Sequence, residues 1–222
     1  MLKQFESMDF RTSLFVTVFI AAVIMSNMVG SKIASINLLG FPIDFSVGLI
    51  PFFMTFFLLD AINEVHGRRK ARETILLGVL VLIFVSIITL ISVWLPFASR
   101  SWLTPEQFDP VFNSSLRIII ASIAAFAMAD LNDAFVFTKL KEKFGGKMLW
   151  LRSNISNLVG QTIDTFVFMF LAFFDFFGIL AGYPAEYVVA LALPYLFLKL
   201  VLSFLNTPFV YAAVGWLKGA KA

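Results

Sequence analysis

The stretch RSNISNLVGQTIDTFVFMF, residues 152–170, decides how the chain is read. It is close to the roughly 20 residues that cross a bilayer as a helix, and its second half is nearly all hydrocarbon. Yet Asn154, Asn157, Gln161 and Asp164 stand at steps of three, four and three, which puts all four on one helical face. A membrane helix with a ladder of amides ending in a carboxylate needs something to satisfy that ladder.

The rest of the chain supports the membrane reading. Of 222 residues, 60% are hydrophobic, 14% are charged and 28 are Phe. A soluble domain is nearer half apolar and a quarter charged, so this balance belongs to a polytopic membrane protein. With no Cys there are no disulfides, thiolate metal sites or Cys nucleophiles, and the single His66 argues against a His-based metal site or a triad. No metal and no cofactor are expected. The N-terminal MLKQFESMDFRTS mixes acids with bases and reads as a cytoplasmic lead-in rather than a signal peptide.

Six apolar segments are long enough to span, over roughly 13–36, 46–65, 73–97, 114–138, 154–176 and 187–217. The expected fold is therefore all-α: a polytopic transmembrane bundle of six helices forming one integral-membrane domain over 1–222. Thirteen of the 17 basic residues fall on one side: Lys3, Arg11, Arg68, Arg69, Lys70, Arg72, Lys139, Lys141, Lys143, Lys147, Arg152, Lys218 and Lys221. The positive-inside rule then makes both termini cytoplasmic. Three helices per half, running in opposite senses, are compatible with an inverted 3+3 repeat.

Ionisable side chains at bilayer depth cost about 2.5–3.5 kcal/mol each on insertion scales, so they need partners or a wet cavity. Helix 1 carries Asn27 and Lys32, helix 2 Asp60, Asn63 and Glu64, helix 4 Asp130, Asn132 and Asp133, helix 5 the ladder, and helix 6 Lys199 and Asn206. Five helices are thus expected to place polar groups in one layer, between the midplane and the cytoplasmic side. Helix 3 offers almost none and is expected at the periphery. Ser26, Gly30, Ser31 and Gly160 read as packing residues, Arg117 as an interfacial residue that snorkels, and His66 as a surface loop residue. Asp60, Asp164 and Lys199 lie too deep for that, and their structural alternative is a buried ion pair. Amides and carboxylates flanked by a basic group and aromatic rings suit a flat, neutral heterocycle with several donors. A guanine-like edge offers a ring N–H beside an amino group, and one carboxylate accepts both.

The blocks SNMVGSK (26–32), LLDAINEVHG (58–67), RSNISNLVGQTIDTFVF (152–168) and KLVLSFLNTPFVYAAVGWLK (199–218) resemble the queuosine-precursor transporters, also grouped as the vitamin uptake transporter family. The chain departs from that pattern at His66, where Tyr is common before the Gly, and in the DLND run at 130–133. The resemblance implies import, across the bacterial inner membrane, of 7-deazaguanine compounds used to modify tRNA: the cyano or aminomethyl precursor, or queuine. It implies a site lined by Asp60, Asn63, Glu64, Arg152, Asn154, Asn157, Gln161 and Asp164, faced by Asn27, Lys32 and Lys199; the polar layer adds Asp130 and Asn132 from helix 4 to the candidates. The expected partners are the deazapurine and the lipid bilayer, not nucleic acid, and a thin six-helix protein is compatible with a homodimer. A second reading is uptake of another small vitamin-like compound, with the chain as substrate-binding subunit of an energised transporter. An intramembrane enzyme is a third, opposed by the absence of an H-E-x-x-H or G-x-G-D motif.

Overall fold

The structure, a computed structural model, describes residues 10–38, 40–143, 149–176 and 182–219. Side chains are described throughout these except at 38, 41, 42, 68, 129–138, 140–143, 149–157, 203 and 204. The elements run α1 (Phe10–Val29), β1 (Ile33–Leu38), β2 (Phe41–Ser46), α2 (Leu49–Trp94), α3 (Pro105–Lys143), α4 (Leu149–Phe173) and α5 (Ala185–Lys218). Among the described residues, five helical stretches are long and apolar enough to cross a membrane, and Leu158–Phe173 within α4 is a shorter apolar helix.

The first departure from the sequence reading lies at 30–46. The expected helix over 13–36 stops at Val29, and an antiparallel hairpin of β1 and β2 follows, so the fold is not purely helical. Ile33 and Ile36 are β-branched and favour extended backbone. Gly40, at φ 90°, supplies the positive φ that a two-residue hairpin loop requires. The second departure lies in α3, which begins at Pro105 rather than 114. The Thr104 N–H donates to the Gln107 side chain at 3.2 Å, one half of the capping box that T-P-E-Q spells, with proline in the first helical position.

Helix α2 is two apolar arms, Leu49–Gly67 and Arg69–Trp94. Gly67 breaks it at φ 80°, ψ 170°, a conformation open essentially to glycine alone. Just past the break, Arg69 and Lys70 pair with Glu73 at 3.1 and 3.3 Å on the exposed surface. The second arm is peripheral, as its sequence suggests. Leu76, Leu80, Phe84, Ile87 and Ile91 recur at steps of four, four, three and four and all are exposed, a stripe suited to lipid.

Lipid is as apolar as these side chains, so packing and interhelical hydrogen bonds hold such a bundle together. Close backbone approach supplies part of this. Ser26 donates to the Gly48 carbonyl at 2.8 Å and Ser46 to the Gly30 carbonyl at 2.6 Å, joining α1, the hairpin and α2. A buried core at the hairpin end takes Leu49 from α2, Ile118 and Ala121 from α3, Met169, Ala172 and Phe173 from α4, and Val188, Leu191, Ala192 and Tyr195 from α5. A smaller cluster joins Ala61 of α2 to Ala213 and Leu217 of α5.

A Cβ at Gly48 would stand 2.4 Å from the Ser26 carbonyl oxygen and 3.0 Å from the Gly30 Cα, whereas one at Gly215 would meet nothing within 4 Å. Gly48→Ala is therefore expected to cost about 1–3 kcal/mol, in the range of other overpacking substitutions. Gly215→Ala should be neutral or slightly stabilising. Thermal unfolding of the two purified variants in one detergent checks the contrast.

Candidate functional site

Between the helices lies a cavity of about 350 Å³, small for a ligand site and mostly apolar. Helix α1 contributes Asn27, the two arms of α2 contribute Phe52, Phe56 and Gly78, α3 contributes Ser122 and Phe126, α4 contributes Gln161, Asp164 and Phe168, and α5 contributes Tyr195 and Lys199. The second arm of α2, peripheral on its outer face, is a wall of this cavity on its inner one. The cavity lies toward the end of α1 that leads into the hairpin and in the first half of α5.

Its centre of charge is an ion pair. The Lys199 Nζ donates to the Asp164 Oδ2 at 2.6 Å and lies 3.5 Å from the Thr165 hydroxyl. The Lys199 side chain is 5% exposed and that of Asp164 27%. The ammonium also sits over two rings, 5.1 Å from the Phe52 centroid and 5.7 Å from that of Tyr195, where the negative π faces attract it. Desolvation of each charge is thus offset by the other and by oriented neighbours.

The amides on the wall divide into two kinds. Asn27 is engaged at both ends: its Nδ2 donates to the Val23 carbonyl at 2.8 Å, and its Oδ1 accepts from Ser122 Oγ at 2.7 Å. Gln161, one helical turn before Asp164, is not, for its Oε1 is buried and has no hydrogen-bond partner among the described residues. A buried polar atom left unpaired costs about 1–3 kcal/mol, so such an atom on a cavity wall calls for a partner from within the cavity, a water or a solute.

Of the residues expected in the site, the structure brings Asn27, Gln161, Asp164 and Lys199 together. Lys32 is exposed and lies beyond the end of α1, at the base of the hairpin, because the helix that would have turned it inward has already stopped. Asn63 and Glu64 are exposed near the Gly67 break and do not line the cavity, since the neighbouring Ala61 gives α2 its packed face against α5. Asp60 accepts from the Asn206 Nδ2 at 2.9 Å, away from the cavity wall, and the Asn206 Oδ1 is buried without a partner. The side chains of Asp130, Asn132, Asp133, Arg152, Asn154 and Asn157 lie outside the described residues.

Other participants escaped the sequence. Ser122 is one hydroxyl in the run IIIASIAAF, and nothing local reveals that it meets Asn27 ninety-five positions earlier. Tyr195 left a fainter trace, four residues before Lys199 and so on the same face. Arg117, expected to snorkel, turns inward instead: its Nε donates to the Leu171 carbonyl at 2.9 Å and a second guanidinium nitrogen donates to the Phe174 carbonyl. These are carbonyls that the end of a helix leaves open, and a cation there also complements the helix dipole.

The sequence profile of the family described as "Putative vitamin uptake transporter" matches residues 46–213. A Bacillus subtilis protein named "Probable queuosine precursor transporter" is 27% identical over 169 residues, 76% of this chain and 71% of that protein. A Haemophilus influenzae protein of the same name is 29% identical over 128 residues, 58% of this chain and 52% of its own. The Escherichia coli "Queuosine precursor transporter" is 27% identical over 141 residues, 62% of this chain and 58% of its own. The chain thus spans little more than half the length of the latter two. No solved structure matches it.

Removing one member of a buried ion pair strands the other. Lys199→Met is expected to lower stability by about 3–5 kcal/mol. Adding Asp164→Asn to the same chain should recover most of the loss. Thermal unfolding of the single and double variants tests the coupling; equal stability of the two would mean that the pair is not desolvated in the membrane protein.

Proposed function

Since the chain belongs to the vitamin uptake transporter family, we propose that it carries 7-deazaguanine precursors of queuosine across the bacterial inner membrane, for use in tRNA modification. The observation that carries this reading is the pairing of Asp164 with an unsatisfied Gln161 on one face of α4, inside a cavity walled by aromatic rings. A guanine-like ring presents an N–H beside an amino group, and a carboxylate accepts both. The bond to Lys199 uses Asp164 Oδ2 and leaves Oδ1 as an acceptor. The Gln161 amide meets a further ring donor or acceptor, while Phe52, Phe168 and Tyr195 offer faces to a flat solute. A site whose buried polar groups match a ligand rejects analogues that leave them unpaired, which is the origin of selectivity here.

The charge distribution supports a topology of six spans with both termini in the cytoplasm. Asn157, Asn154 and Arg152 continue down α4 toward the basic side, and Asp130 and Asn132 occupy the same half of α3. We place them, with Asp60 and Asn206, on the route by which the solute leaves the cavity. The family's description also favours a second reading, uptake of a different small vitamin-like compound, with or without an energising partner. A thermal-shift screen of purified protein against deazapurines, purines and vitamins separates the two, because a ligand that binds the folded state alone raises its stability with concentration.

Gln161→Met is expected to act oppositely on stability and on transport. It removes an unpaired buried polar atom, so the melting temperature should hold or rise. It also removes a ligand contact, so uptake should fall by an order of magnitude or more. Precursor-dependent queuosine formation, in cells that cannot make the precursor, measures the second effect; unchanged formation would take Gln161 out of the site.

A further inference from the structure

Away from the cavity, the seam between α2 and α5 holds a second polar pair. Asn206 is 5% exposed, and its Nδ2 donates to the Asp60 Oδ2 at 2.9 Å. The other end of the same amide, Oδ1, is buried and has no hydrogen-bond partner among the described residues. Asp60 is exposed and stands seven residues before the Gly67 break, about 10 Å from it along the helix. Around the pair the seam is apolar. Phe209 packs on Phe53 and Phe57 with ring centroids 5.6 and 5.9 Å apart, and Ala61 meets Ala213 and Leu217.

An acceptor stranded beside a carboxylate calls for a donor between the two, and the smallest such donor is a proton. A carboxylate offers acceptors alone, so it answers the Asn206 nitrogen and not the Asn206 oxygen. A carboxylic acid answers both: it accepts the amide N–H and donates its own O–H to the amide oxygen, closing a ring of two hydrogen bonds. The first of these is in place at 2.9 Å, and the second needs the proton. Turning the amide over leads to the same result, because an amide oxygen set against Asp60 requires a proton on Asp60. Protonation also removes the cost of a bare charge at bilayer depth. The proton comes from water at the inner face and adds to one carboxylate oxygen, and no other covalent bond changes.

Titratable and charged side chains described on the same and adjoining elements include Glu64, one turn further along α2, and His66, which is bonded to Thr12. Arg11 of α1 donates to the Trp216 carbonyl, Lys139 of α3 and Lys218 of α5 are exposed, and Lys199, two turns outward on α5, is paired with Asp164. The side chains of Asp130, Asp133 and Arg152 lie outside the described residues.

We propose that Asp60 and Asn206 form a proton-binding site: the bound proton adds a second hydrogen bond between α2 and α5, and its release loosens the seam on the route by which the solute leaves. The link to the exit route rests on the transport reading; the proton site does not. Asp60→Asn imitates the protonated acid, since its amide gives and takes a hydrogen bond with Asn206 at any pH. Thermal unfolding of the purified full-length protein, wild type beside Asp60→Asn, is followed from acidic to alkaline buffer. Stability held by a bound proton is present at acid pH and lost as pH rises past the point of release. The two proteins should therefore melt together in acid, and wild type should fall behind by about 2–4 °C or more in alkali. Infrared difference spectra between the same buffers should show a protonated-carboxyl band that Asp60→Asn lacks. A gap that stays constant with pH, or no such band, would mean that a water or another side chain donates to the Asn206 oxygen, and would overturn the site. An Asp60→Asn protein that did not fold would overturn it too. Neither measurement uses a solute, so the site and the queuosine reading fail separately. In cells that cannot make the cyano precursor, its uptake through Asp60→Asn should fall at least tenfold while the purified variant still binds it. Undiminished uptake would overturn the link between the proton and the exit route.

Discussion

A lysine and an aspartate facing each other in the interior of a membrane bundle impose a condition on everything around them. Neither charge is tolerable alone at that depth. The helices that carry them, α4 and α5, must keep their register, and the neighbouring groups must finish the solvation that water would have provided. Thr165 and the rings of Phe52 and Tyr195 do so, and Phe52 draws the first arm of α2 into the same arrangement. The cavity is bounded by the elements this condition holds in place.

Other polar contacts extend the same logic around the bundle. Lipid gives helices little reason to associate through apolar area, so directional contacts and close backbone approach carry more of the organisation. Ser122 with Asn27 joins α3 to α1, Asn206 with Asp60 joins α5 to α2, and Thr12 with His66, 2.8 Å apart, joins α1 to α2 near the Gly67 break. Arg11 lies 5.0 Å over the Trp216 ring and Phe15 stacks on the same indole, tying the start of α1 to the end of α5. Polar groups satisfied inside the protein build the scaffold, and among the described residues on the cavity wall the Gln161 oxygen is left open, which is why the proposed binding chemistry is placed there.

Much of this was legible in the sequence. The positions of the long apolar helices follow from hydropathy, and the shared face of Gln161 and Asp164 from a spacing of three. The ion-pair alternative for Asp164 and Lys199 followed from their depth. The hairpin was not legible, because IASI is apolar enough to pass as the end of the first helix and 37–45, with Asn37, Gly40 and Pro42, passes as an ordinary connection; only the β-branched residues hint at strands. The early start of α3 was hidden by Pro105 and Pro110, although the first stands where a helix favours proline. Contacts between distant segments, Arg117 with the end of α4 or Ser122 with Asn27, depend on tertiary geometry that no local pattern encodes. Asp60 shows the limit from the other side: its depth identified a group in need of a partner, and the partner proved to be an amide rather than a cation.

Asn27 carries a consequence of its own. One end of its amide must give a proton, to the Val23 carbonyl, and the other must take one, from Ser122. Aspartate has the right shape but would turn a carboxylate oxygen against a carbonyl oxygen; leucine has the bulk but takes away the oxygen to which the Ser122 hydroxyl donates. Glutamine has the right chemistry one methylene too far out. Position 27 is thus set by the direction of its hydrogen bonds, one given and one taken, more than by charge or size.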